Sequence, residues 1–176
     1  MSFDSGDAFT IAGVPIARDA AVIEAGLDFA LAPVASLQET YQDWRVACQV
    51  ANDAKRCALS QQQTRQNGQR LLALELQVNA DGAATGVLVL PFGLKLDAGV
   101  SLGVDDALPL PALRFSTYLP VGCLAPLAFD ALAIAALRSG QEMKIMTIQN
   151  DGQELELSVS LKGFSAAFDR VGVLAR

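Results

Sequence analysis

Three dipeptides, Asn67-Gly68, Asp81-Gly82 and Asp151-Gly152, constrain this chain more than any other feature. Each separates two short apolar runs: 58–66 from 69–78, 71–78 from 86–90, and 143–149 from 154–161. Asn-Gly and Asp-Gly are the pairs that best tolerate the two positive φ angles of a type I′ hairpin turn. The sequence therefore predicts three tight antiparallel hairpins. Alternation supports them: Leu155, Leu157, Val159 and Leu161 share one face, and Glu154, Glu156, Ser158 and Ser160 the other. That is the pattern of a sheet with one wet face.

A fourth hairpin is read from residues 44–63, W-R-V-A-C-Q-V-A-N-D-A-K-R-C-A-L-S-Q-Q-Q. This stretch holds the only tryptophan and two of the three cysteines. Cys48 and Cys57 can face one another across paired strands, and a bridge closing a loop of about ten residues stabilises by roughly 2–3 kcal/mol. Spacing alone leaves that open against two buried thiols. A metal centre is disfavoured, because Cys123 cannot complete a ligand set in a chain with no histidine.

Further along, 86–104 reads as a strand, a bend at Pro91 and one or two short strands, with glycines marking bulges or close backbone approach. Residues 105–111 read as a proline-containing loop, and 113–119 with 123–129 as another strand pair. Asp130 is placed to cap a helix over 131–138, with Gly140 ending it in left-handed geometry. A last helix follows Gly163, with Phe164, Ala167, Phe168 and Val171 on one face. Near the start, 8–12 reads as a strand, and Asp19 as the cap of a helix over 20–31 with Ile23, Leu27 and Leu31 aligned. That N-terminal arm is either packed on the body or free to bind a partner. The fold expected is all-β: an antiparallel sandwich with two short helices and an N-terminal extension.

At 176 residues the chain suits a single domain. A hydrophobic fraction of 52% with 18% charged residues excludes disorder and leaves few charges to cover the surface, so a homo-oligomer is plausible. The net charge of −6 is confined to the arm: residues 1–43 carry seven acids against Arg18, and 44–176 carry twelve of each sign. An acidic arm on a neutral body argues against nucleic acid as a partner. The absence of histidine removes the commonest general base. No apolar run is long enough for a transmembrane segment. No signal peptide is visible either, so the chain is read as cytosolic or as trimmed before its first residue.

Six segments, in order, resemble the invasion-associated locus B family: W-R-V-A-C, K-R-C-A-L-S-Q-Q, L-P-F-G-L-K-L-D-A-G-V-S-L-G-V-D, R-F-S-T-Y-L-P-V-G-C, L-R-S-G and S-V-S-L-K-G-F-S-A-A-F-D. The similarity spans about residues 41–171, which divides the chain into an extension, 1–40, and a family-like domain, 41–176. The resemblance implies an immunoglobulin-like β-sandwich, export to the periplasm or secretion, and a non-catalytic role without a cofactor, linked in some members to host-cell invasion. It assigns Cys48 and Cys57 to the family's first disulfide. Cys123 matches the last family cysteine, whose partner position falls at Tyr118; Cys123 is therefore expected as a free thiol. The expected partner is a protein or an envelope or host-surface component, with carriage of an apolar small ligand between the sheets as the alternative.

Four sets of residues invite a functional reading. Asp4-Ser5-Gly6 spells an aspartic-protease-like motif, but there is no second copy to share its proton. Asp97, Asp105 and Asp106 lack the regular spacing of a calcium loop. Pro91 to Leu94 with Phe164 and Phe168 can line an apolar pocket or simply fill the core. Arg45, Lys55, Arg56, Arg65 and Arg70 cluster in the first hairpins. They make either a docking patch for an acidic protein, an anionic glycan or a lipid headgroup, or an ordinary solvated sheet face.

Overall fold

The computed structural model describes residues 35–51, 54–106 and 108–175. The strand and helix expected within residues 1–34, and Asp4-Ser5-Gly6, lie outside that range. Two antiparallel sheets stack as a sandwich. The larger sheet holds β1 (Ala35–Tyr41), β2 (Trp44–Ala51), β3 (Ala54–Thr64), β4 (Arg70–Val78), β5 (Ala84–Leu90), β8 (Thr117–Leu119) and β9 (Gly122–Phe129). Its strand order is β1-β2-β3-β4-β5-β9-β8. The smaller sheet, in the order β11-β10-β6-β7, holds β6 (Val100–Val104), β7 (Leu108–Leu113), β10 (Glu142–Ile148) and β11 (Glu154–Ser160).

The three dipeptides do form hairpin turns, but not of type I′. In each, only the glycine has positive φ: 81° at Gly68, 85° at Gly82 and 89° at Gly152. The glycine N–H donates three residues back, to the carbonyls of Arg65, Asn79 and Gln149. The Asn or Asp side chain then accepts from the backbone two residues on, at 2.9–3.0 Å. This is a type I turn followed by a left-handed glycine, with the Asx carboxyl or amide closing the loop. The Asx residue was read as a second left-handed position; its work is done by its side-chain oxygen instead.

Period-two alternation sets the core. Trp44, Val46, Cys48, Leu59, Leu72, Leu74, Leu76, Leu88 and Leu90 of the larger sheet meet Val100, Leu102, Val104, Met143, Ile145, Leu157 and Val159 of the smaller one. Four strands cannot cover seven, and two helices fill the remainder. Helix α1 (Ala131–Ser139) inserts Ala133, Ile134 and Leu137, and α2 (Phe164–Leu174) inserts Phe164, Ala167, Phe168 and Val171. Asp130 caps α1 as expected, accepting from Ala133 N–H at 2.8 Å. Gly140 departs from expectation: its φ is −81°, not left-handed. Glycine is needed there for space, since a Cβ would lie 2.2 Å from Val104 Cγ1.

A second departure is β7. Pro109 and Pro111 make 105–111 look like a loop in the sequence, yet Leu108–Leu113 forms a strand paired with β6. Proline removes a ladder donor, which is tolerated where one side of the strand is unpaired, and β7 is an edge. The larger sheet also takes in the last residues of the segment read as the extension, because β1 begins at Ala35 and pairs with β2.

Cys48 and Cys57 sit opposite in the β2–β3 register and are joined by a disulfide, with Cα atoms 4.1 Å apart. Cys123 is buried and unbridged. Burial pushes its thiol pKa up, which keeps it neutral and poorly reactive. The β8–β9 register sets Tyr118 directly opposite Cys123. Substituting Tyr118→Cys is therefore expected to create a second bridge without moving the backbone. Thiol titration of the denatured, non-reduced chain should fall from one per molecule to none; a value of two would contradict the register.

Helix α2 is tied to the edge strand β1 by a charged fork. Arg170 Nε and Nη2 donate to the two carboxylate oxygens of Glu39, each at 2.8 Å. The Arg170 hydrogen bond, and next the Tyr41 hydroxyl donating at 2.9 Å, hold the Glu39 carboxyl below its ordinary pKa. A carboxyl whose folded pKa is depressed contributes stability above its unfolded value, and that contribution is lost as pH falls through the folded one. Glu39→Gln is thus expected to melt slightly below the parent at neutral pH. The difference should shrink and then disappear as the pH falls below the ordinary carboxylate range. A melting difference that persists at acid pH would show that Glu39 acts by packing rather than by charge.

Candidate functional site

The five bases singled out from the sequence do not form one patch. β2 and β3 are antiparallel, so Lys55 and Arg56, opposite Val50 and Gln49, lie beside the β2–β3 hairpin. Arg45 is opposite Ser60, further towards the other end of β3. Arg65 follows β3 in the β3–β4 turn, and Arg70 is opposite Thr64. Arg65 lies nine positions beyond Arg56 in extended chain, a span of roughly 30 Å. Arg45, Arg65 and Arg70 thus lie towards one end of these strands, and Lys55 and Arg56 towards the other.

Between β1 and β3, beside Arg45, is an open polar depression of about 400 Å³. Thr40, Arg45, Ser60, Gln62 and Thr64 line it with hydroxyl, amide and guanidinium groups, and Asp43 adds a carboxylate that accepts from the Ser160 hydroxyl at 2.6 Å. Arg45, Gln62, Thr64 and Arg65 are exposed. The Arg70 Nε atom is buried with no hydrogen-bond partner among the described residues. Guanidinium groups beside hydroxyl and amide side chains suit carboxylate, sulfate or phosphate oxygens. The polar residues of this depression carry no motif. They become visible only once the β2–β3 register is known.

The aspartates are occupied in other ways. Asp105 has left-handed backbone, φ 53°, and its Oδ1 accepts from the N–H groups of Gln141 at 3.0 Å and Glu142 at 3.1 Å. It holds the entry to β10 in place. Asp106 pairs with Lys144, and each shifts the other towards its charged form. Asp97 sits in a short 3-10 turn, Leu96–Ala98. Among the described residues no group of three or more His, Cys, Asp or Glu is disposed to hold a metal ion.

The apolar residues considered as a pocket also separate. Phe92 is 57% exposed, whereas Leu94, Phe164 and Phe168 are buried in the sandwich. Phe164 packs edge-on to Trp44 with ring centroids 5.1 Å apart, and Arg138 lies over the Phe168 ring at 4.9 Å. These aromatics serve the core. No helix among the described residues is long and apolar enough to cross a membrane.

Comparison with known proteins agrees with the resemblance read from the sequence. The family model for invasion associated locus B (IalB) protein matches residues 44–172. An invasion protein B homologue of Brucella abortus is 48% identical over 143 residues, covering 80% of this chain and 82% of that protein. Invasion protein B of Bartonella bacilliformis is 32% identical over 144 residues, covering 80% of this chain and 77% of its own length. The crystal structure of invasion-associated protein B from Bartonella henselae superposes with a TM-score of 0.75 at 33% identity, covering 78% of this chain and 96% of that one. Matched in sequence over most of its length and in fold to a solved relative, the chain belongs to the invasion-associated locus B family.

Proposed function

We propose that this chain is a non-catalytic, exported binding module, acting in the periplasm or at the cell surface through contact with an acidic partner. The observation that carries the reading is the exposed Arg45 in the polar depression, with Arg65 and Arg70 towards the same end of the sheet. Export is supported by the Cys48–Cys57 disulfide, a bond that persists in oxidising compartments. A non-enzymatic role is supported by relatives named as invasion proteins and by a chain without histidine. Electrostatic docking of this kind favours encounter and is weakened by salt.

The test is binding of the full chain to a sulfated glycan on a sensor surface at low ionic strength. The parent is expected to bind, with affinity falling as salt rises. Arg45→Glu/Arg65→Glu changes only exposed side chains and should weaken binding roughly tenfold or more. Lys55→Glu/Arg56→Glu, at the far end of β3, should change it by no more than about twofold. Equal losses in both variants, or no salt-sensitive binding by the parent, would contradict the reading.

A further inference from the structure

Strand pairing sorts the residues of the larger sheet onto two faces. Trp44, Val46, Leu59, Leu74 and Leu88 face the smaller sheet and the helices. Ala47, Ala58, Ala73, Val87, Val89 and Leu124 face the other way, yet all six are buried. The last four form an apolar cluster of their own, bordered by Leu119 and Val121. Ala47 and Ala58 are directly opposite one another. Side chains on an outer sheet face stay buried where something lies over them. The smaller sheet, α1 and α2 are all engaged on the opposite face. Two alanines side by side keep the outer face low, as close packing of a helix requires. Gln49 extends this stripe towards Ala35, and its Nε2 is buried with no hydrogen-bond partner among the described residues.

We propose that this outer face is the docking site of the chain's own residues 20–31, laid diagonally across the sheet as the helix expected from their sequence. That segment is apolar apart from Glu24, Asp28 and its glycine, and Ile23, Leu27 and Leu31 repeat four apart. Docking removes two apolar stripes from water at once, the segment's and the sheet's. The reach fits. Ala35 is opposite Gln49, and Ala73 lies three strands away and six residues further along β3, a diagonal of roughly 24 Å. A helix over 20–31 spans roughly 18 Å, and residues 32–34 add up to roughly 10 Å. Its last carbonyls, which have no partner within a helix, come to lie beside Gln49 Nε2. The bases that border the stripe on the same face, Arg45 and Arg56, complement its two acids.

Ala73→Cys places a reporter thiol under the proposed cover, and Cys123, buried and unbridged, serves as the control in the same molecule. In the native full chain the introduced thiol should react slowly with iodoacetamide. Adding Ile23→Asp/Leu27→Asp should undock the segment and speed that reaction roughly tenfold or more, with Cys123 still protected. Val87→Cys is the second reporter should Ala73→Cys not fold. An introduced thiol that reacts rapidly in the otherwise unchanged chain, or at the same rate with and without the aspartates, overturns the proposal. So does protection that falls on dilution, because the cover would then be a second copy of the chain.

Discussion

The sandwich depends on one seam. Trp44 is 1% exposed; its indole N–H reaches across to Ser160 O in the smaller sheet, while its ring meets Phe164 at the start of α2. One side chain thus touches both sheets and the helix that covers the part of the larger sheet the smaller one leaves bare. A buried indole left without an acceptor would cost about 1–3 kcal/mol, and loss of the ring would add a cavity among the largest core residues. Gln61 and Gln63 extend the seam along β11. The Cys48–Cys57 bridge ties β2 to β3, the two strands that supply all three donors.

Much of this was legible in the sequence because it is local. Alternation in 154–161 and the three Asx-Gly pairs placed the hairpins, and Asp130 and the Phe164–Val171 face placed the helices. The misreadings were of local geometry whose cause is not local. Gly140 is glycine because Val104 and Leu161 crowd it, residues that only the fold brings near. Pro109 and Pro111 look like loop residues until β7 is known to be an edge. The turn type was misassigned because an Asx residue can serve either by adopting positive φ or by accepting a hydrogen bond. Both uses produce the same dipeptide.

The candidate site was less legible than the fold. Five bases within 26 residues suggest one patch, but antiparallel pairing carries Arg56 and Arg65 to opposite ends of β3. Which end of the sheet each base occupies is a matter of register, and no single residue in this stretch encodes it. The seam was invisible for a similar reason: Trp44 and Ser160 are 116 residues apart, and neither sits in a recognisable motif. Family membership, by contrast, rests on short segments in a fixed order, and those could be read directly.

The claim that the seam makes two sheets into one unit can be tested with the chain's only tryptophan. Equilibrium urea unfolding should be followed at once by Trp44 fluorescence and by far-ultraviolet circular dichroism. The account predicts blue-shifted native emission and a red shift that coincides with loss of sheet signal in a single transition. Native emission typical of a solvated indole, or a Trp44 transition that precedes loss of the sheets, would contradict it.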